Sequence, residues 1–309
     1  MPINAKQISW APDALLPGFE STTLVFPPDY DGPVVATLVR KAGGSAHKRA
    51  ALYIHGFIDY FFQAHMAERF DAEGWAFYAL DLRKHGRSLL PGQHPCFCKR
   101  IDEYFADITR AIGIVREETG GPLLLAGHST GGLIASLYAD AGEAREAIAA
   151  LWLNSPFFDF NIRDADRFKL GLAAAAGMLF PFLRDPKGLP RDYARSLHRE
   201  YGGEWDFDLR LKPLDGFPLY FGWIGSILAA HAKIHAGLSI RCPVLAMHSD
   251  DADIVLRWRD IAKWSPRFGK DVEVEQFPGA LHDLVLSKLP VREAVFSALF
   301  AWLTRFPSR

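Results

Sequence analysis

The chain has 309 residues, room for one large domain or for a core plus an insertion. Apolar residues make up 49% and charged residues 23%, an ordinary balance for a globular protein. The formal net charge is -1, and no basic stripe or arginine-rich tail is present, so nothing points to a nucleic-acid partner.

The first residues contain no apolar run of the kind a signal peptide needs, and a cytoplasmic location is the expectation. The longest apolar run, 170–183, is shorter than the ~18–20 residues of a membrane span and contains Pro181. It is expected to be a buried or lid helix, with no membrane span and at most transient contact with a lipid surface. Cys96, Cys98 and Cys242 form neither a disulfide framework nor a zinc ribbon, and they are expected to be buried or incidental thiols. The 23 Phe and 8 Trp fit either a well-filled core or a pocket for an apolar ligand.

In chain order, residues 20–40 predict a hairpin or meander around a Pro-Pro-Asp-Tyr-Asp-Gly turn. A buried strand follows at 51–54, a helix at 61–73 ending at Gly74, and a strand from Trp75 to Asp81. A helix is predicted at 101–118, a strand at 123–126, a helix at 131–141 and a strand at 148–153. Short apolar strands alternating with helices imply a mostly parallel sheet covered on both faces, an α/β architecture.

After Pro156 the alternation stops. The next stretch holds Pro181, Pro186, Pro190, Pro213 and Pro218 with many aromatic residues, and it reads as an insertion over 157–222. Residues 1–156 and 223–309 then form the two parts of one core. The pattern resumes with a helix near 223–236, a strand at 243–247, a helix near 254–268, a strand at 272–277 and a last helix at 291–304.

The strand at 123–126 runs into GHSTG at 127–131, and a helix follows at once. This is G-x-S-x-G in a strand–turn–helix setting. A serine on such a tight turn, here Ser129, projects its hydroxyl from the sheet. Gly127 and Gly131 must be small because strand and helix approach closely. A serine needs a base to take its proton. His282, on the loop after the strand at 272–277, can reach the same edge of the sheet. The acid belongs on the loop after the preceding strand, where Asp250, Asp251 and Asp253 compete. The others are expected to be solvated or to cap the helix starting near Ile254. An oxyanion needs donors, and the backbone N–H groups of Thr130 and Phe57 are the candidates. Gly56 lets that loop come close, and His55 is expected to be a structural hydrogen-bonder.

His231 and His235 lie four apart on a helix without a third ligand, so no metal site is assigned. No nucleotide-binding glycine motif occurs, and no cofactor is implied.

Together, HGF at 55–57, ALDLRKHGRS at 79–88, GHSTG at 127–131, LNSP at 153–156, PVLAMHSD at 243–250 and GALHD at 279–283 resemble the α/β-hydrolase superfamily. Within it they resemble the lysophospholipase and monoglyceride-lipase-like group, also described as serine aminopeptidase-like. The resemblance implies the α/β-hydrolase fold and a Ser-His-Asp triad. The family's usual acid position corresponds to Ala252, and the similarity of the segment from Asp253 favours Asp253, with Asp251 second. It also implies that the insertion is a cap whose apolar lining receives an acyl chain. Phe157, Phe158, Phe160, Phe217, Phe221 and Trp223 are the candidate lining residues. A serine at 129 argues against the dehalogenase and epoxide-hydrolase branches, whose nucleophile is aspartate. The expected partner is a small apolar acyl ester. Amide or peptide hydrolysis, acyl transfer and carbon–carbon hydrolysis are the alternatives, with a non-catalytic binding protein the remote one.

Overall fold

Nine strands among the described residues, 8–185 and 192–305 of a computed structural model, form one sheet. They are β1 (Ala11–Pro12), β2 (Phe19–Asp29), β3 (Gly32–Lys41), β4 (Arg49–Ile54), β5 (Trp75–Asp81), β6 (Leu123–His128), β7 (Ile148–Asn154), β8 (Val244–His248) and β9 (Val272–Gln276). The order across the sheet is β1-β2-β3-β5-β4-β6-β7-β8-β9. The β2–β3 hairpin is antiparallel, and its register slips between Phe26 and Asp29. Pro27 and Pro28 sit in that gap, where a residue without an N–H cannot serve the ladder. From β5 to β9 every neighbour is parallel.

The helices are α1 (Ala64–Ala72), α2 (Phe105–Thr119), α3 (Thr130–Ala141), α4 (Asp164–Leu179), α5 (Asp192–Leu197), α6 (Phe221–Ala236), α7 (Trp258–Trp264) and α8 (Leu289–Leu303). Side chains of the central strands alternate between two cores. Leu52 and Ile54 of β4 join the core that α2, α3 and α6 cover. Ala51 and Tyr53 join the one under α1 and α8. All residues of β5 and β6 are buried, as strands covered on both faces require. The parallel strands bring the loops after β4, β6, β7, β8 and β9 to one edge of the sheet.

Four predicted helices are shorter or shifted, and the one expected over 101–118 opens as a 3-10 turn at Ile101–Tyr104 before α2. The one expected over 61–73 begins at Ala64, because the Phe61 N–H donates to Asp81 Oδ1 at 2.8 Å and the Phe62 N–H to Gln63 Oε1 at 3.0 Å. The one expected near Ile254 begins at Trp258, because a local turn on Asp253 occupies the preceding residues. It gives way at Ser265 to a 3-10 turn holding Pro266. The helix α4 starts well before the apolar run, stops short of Pro181 and is not buried: Gly177 is its buried residue, and Phe168, Met178 and Leu179 face outward. Pro186 and Pro190 lie outside the described residues. Among the described residues no helix is long and apolar enough to cross a membrane.

Candidate active site

Ser129 stands between β6 and α3 with φ 52° and ψ -118°. A non-glycine residue there costs on the order of 1–3 kcal/mol and persists only when its surroundings hold it. Three hydrogen bonds do so. The Ser129 N–H donates to Asn154 O at 3.0 Å, and its own carbonyl accepts from Leu133 at 3.1 Å and from Phe157 at 3.0 Å. A Cβ on Gly127 would meet the Gly131 carbonyl oxygen at 2.5 Å, and one on Gly131 would meet the His55 carbonyl oxygen at 2.3 Å. Both glycines are therefore steric requirements of the turn. The serine opens α3, so the helix dipole favours negative charge at this point.

His282 lies on the loop after β9, and its Nδ1 is 2.9 Å from Asp253 Oδ2. Both side chains are almost fully buried. The other oxygen of Asp253 accepts from the Val255 N–H at 2.7 Å and the Leu256 N–H at 3.0 Å. Burial pushes this carboxyl's pKa up, but the neighbouring imidazole and these N–H groups outweigh it and hold the group below its ordinary value. The competing carboxylates point elsewhere. Asp251, the second choice, faces solvent and binds Trp258 Nε1 at 2.8 Å and Arg259 at 2.9 Å. Asp250 accepts from the Ala252 and Gly279 N–H groups. Asp253 thus caps its own turn and meets the histidine, two tasks expected of different residues. His282 also comes within 4.8 Å, ring centre to ring centre, of His128, the residue before the serine.

The loop after β4 passes beside the serine: a Cβ on Gly56 would lie 3.3 Å from the Ser129 Cβ. His55 is structural. Its Nδ1–H donates to Gly56 O at 2.8 Å and its Nε2 accepts from the Leu82 N–H at 3.1 Å. The first of these bonds fixes the peptide that carries the Phe57 N–H. Thr130, the other candidate donor, is the first residue of α3.

Parts of the insertion dock on these loops. Lys212 Nζ pairs with Asp59 Oδ1 at 2.6 Å, both buried, and the Asp208 N–H donates to Tyr60 Oη at 2.7 Å. Trp205 Nε1 donates to Leu286 O at 2.6 Å. Trp223, in the first turn of α6, stacks on Phe57 at 4.1 Å. Of the other proposed lining residues, Phe158 is the most deeply buried. Its ring packs edge-on against Phe268 and is 1% exposed, and its carbonyl accepts from His235 Nε2 at 2.8 Å. Phe157 packs edge-on against Phe160 and His231. Phe217 and Phe221 are half-buried. His231 likewise spends Nε2 on a carbonyl, that of Phe157 at 2.9 Å, so the histidine pair staples this segment to α6.

A family model described as serine aminopeptidase, S33, matches residues 45–288. The chain belongs to that serine aminopeptidase family. Among solved structures it resembles a soluble variant of monoglyceride lipase from Saccharomyces cerevisiae in complex with a substrate analog, at 19% identity over 98% of each chain and a TM-score of 0.71. A monoacylglycerol lipase from Paleococcus ferrophilus matches at 23% identity, covering 84% of this chain and 95% of its own, with a TM-score of 0.64. A thermostable carboxyl esterase from Bacillus coagulans in complex with glycerol gives 17% identity, 92% and 98% coverage, and a TM-score of 0.64. These likenesses establish the α/β-hydrolase fold.

In this serine aminopeptidase-family chain, two supports of the site escaped the sequence reading. Asp81, ending β5, holds the Phe61 N–H and Arg87, and Arg87 in turn donates to Phe61 O at 2.9 Å. The 79–88 motif therefore braces the loop that carries Phe57. Tyr193, from α5, accepts from the Asp283 N–H at 2.9 Å and sets its ring edge-on to His282 at 5.4 Å. No local pattern around Tyr193 marks it.

Proposed function

We propose that the protein is a serine hydrolase of carboxylic esters with an apolar acyl group. Ser129 Oγ attacks the ester carbonyl, His282 takes its proton and passes it to the leaving alcohol, and Asp253 holds the imidazole in the required tautomer. The N–H groups of Phe57 and Thr130 receive the charge that develops on the carbonyl oxygen. Water, activated by the same histidine, then frees the acyl group. The insertion at 157–222 acts as a cap, with Trp223 against Phe57 at its base. The exposed apolar residues at the end of α4 make transient contact with a lipid surface.

The single observation that carries this reading is the buried Asp253–His282 pair, set at the sheet edge that also bears a strained serine. The names of the structural neighbours, two acylglycerol lipases and an esterase, favour ester over amide substrates. The family's description raises the peptide alternative, which needs a free acid to hold an amine. Asp59, on the same loop as Phe57, is already neutralised by Lys212.

The test is a series of p-nitrophenyl esters of rising chain length, beside matched anilides and aminoacyl anilides. Esters of medium or long chains should dominate, and Ser129→Ala should lower their hydrolysis by about 10⁴-fold or more. Faster cleavage of aminoacyl anilides would reverse the assignment of substrate class.

A further inference from the structure

We propose that Asn154 is a positioning residue that sets the imidazole of His282 against the hydroxyl of Ser129. The proposal rests on the reading of those two residues as base and nucleophile. Asn154 ends β7, next to β6, and is paired in register with His128. It is fully buried, and its backbone oxygen and side chain serve two loops that are distant in the chain. Its backbone oxygen accepts from the Ser129 N–H at 3.0 Å and from His128 Nδ1–H at 3.1 Å. Its side chain faces the histidine loop: Nδ2 donates to Asp283 Oδ1 at 2.7 Å, and Oδ1 accepts from the Leu284 N–H at 3.1 Å.

Asp283 follows His282 directly and is 1% exposed. Its donors are amides: Asn154, the Val285 N–H at 3.2 Å and Gln63 Nε2 at 3.4 Å. A buried carboxylate that loses such a donor is costly, so the loop is strongly held where Asn154 satisfies it. The division of labour follows from the topology. Asp253 orients the ring from the loop after β8, but it makes no bond to the serine turn. Asn154 bonds both the serine turn and the residues immediately after the histidine, so it fixes the spacing between them. A misplacement of about 1 Å between reacting groups costs on the order of 10²-fold in rate.

Asn154→Asp is the deciding variant because it keeps the shape and the acceptor for the Leu284 N–H. It also sets a carboxylate against Asp283 at the 2.7 Å contact. Two carboxylates that close share one proton, so the bond re-forms as pH falls. The full-length variant is compared with wild type for kcat and KM on an ester from pH 9 to pH 6, with Asn154→Leu and Ser129→Ala in parallel. The expected result for Asn154→Asp is a kcat about 30–100-fold low at pH 9 with KM within about twofold. The deficit relative to wild type should shrink about tenfold by pH 6. Asn154→Leu should show the same kcat loss without recovery. A folded Asn154→Asp with wild-type kcat throughout, or with its loss in KM, overturns the proposal. If Ser129→Ala hydrolyses at the wild-type rate, the reading of the site itself fails, and that outcome is separate from any result at Asn154.

Discussion

The serine turn and the insertion obey opposite rules. Around residues 127–132 backbone meets backbone with no room for a methyl group, and a strained serine is held by three main-chain hydrogen bonds. In the insertion, α4 turns most of its apolar side chains outward; Met178 is 86% exposed. The rest of the segment grips the core through buried apolar side chains, among them Leu197, Phe207 and Tyr220, and through polar anchors such as Lys212–Asp59. The tight region can fix a reaction, because proton transfer tolerates little displacement. Contacts of the outward-facing α4 can change without moving the serine, whereas Phe157 and Tyr193 of the same segment hold the Ser129 carbonyl and the loop of His282. Elements that move are drawn from the less firmly held parts of a fold.

The contrast is broken most severely at a glycine. Gly131→Ala places a methyl 2.3 Å from a carbonyl oxygen, so it should abolish folded, soluble protein. Gly171→Ala, inside α4 with nothing within 4 Å of its added carbon, should instead raise stability by about 0.5–1 kcal/mol. Thermal melting of both variants checks this. Equal tolerance at the two sites would contradict the picture of a tight turn and a loosely packed α4.

Next in size is the acid. Asp253→Asn should lower kcat by roughly 10³–10⁴-fold, because the imidazole is then held in the wrong tautomer. Asp251→Asn should leave it within twofold, since that carboxylate serves Arg259 and Trp258 on the surface. Steady-state kinetics on one soluble ester separates them.

The smallest effect belongs to the insertion. Replacing Met178, Leu179 and Phe180 by serine removes about three exposed apolar contacts. It should leave hydrolysis of a dissolved short ester unchanged while lowering that of an emulsified long-chain ester several-fold. An equal loss on both substrates would mean that α4 shapes the site rather than meeting a surface.

The strands and the serine turn were legible because their signals are local. Buried parallel strands are continuous apolar runs, and the turn carries its glycines at fixed offsets. His282 followed from its place after the last strand. From the residues alone the acid was legible as three candidates, because a loop's sequence does not say which carboxylate turns inward, and only the resemblance favoured Asp253. In the structure the carboxylate that meets His282 is that of Asp253, whose other oxygen accepts from the N–H groups of Val255 and Leu256. Tyr193 and Asn154 were not assigned roles, since their partners lie 90 and 129 residues away. Phe158 shows the converse. An aromatic residue beside a site reads the same whether it lines a pocket or seals a core, and the contacts of Phe158 with His235 and Phe268 are not visible in the sequence.

The central claim is that the hydroxyl at position 129 is the nucleophile. Intact mass and peptide mapping after treatment with a fluorophosphonate test it directly. The account predicts one adduct per chain, on the peptide containing Ser129, and none in Ser129→Ala. An adduct on another residue, or labelling that persists in Ser129→Ala, would contradict it.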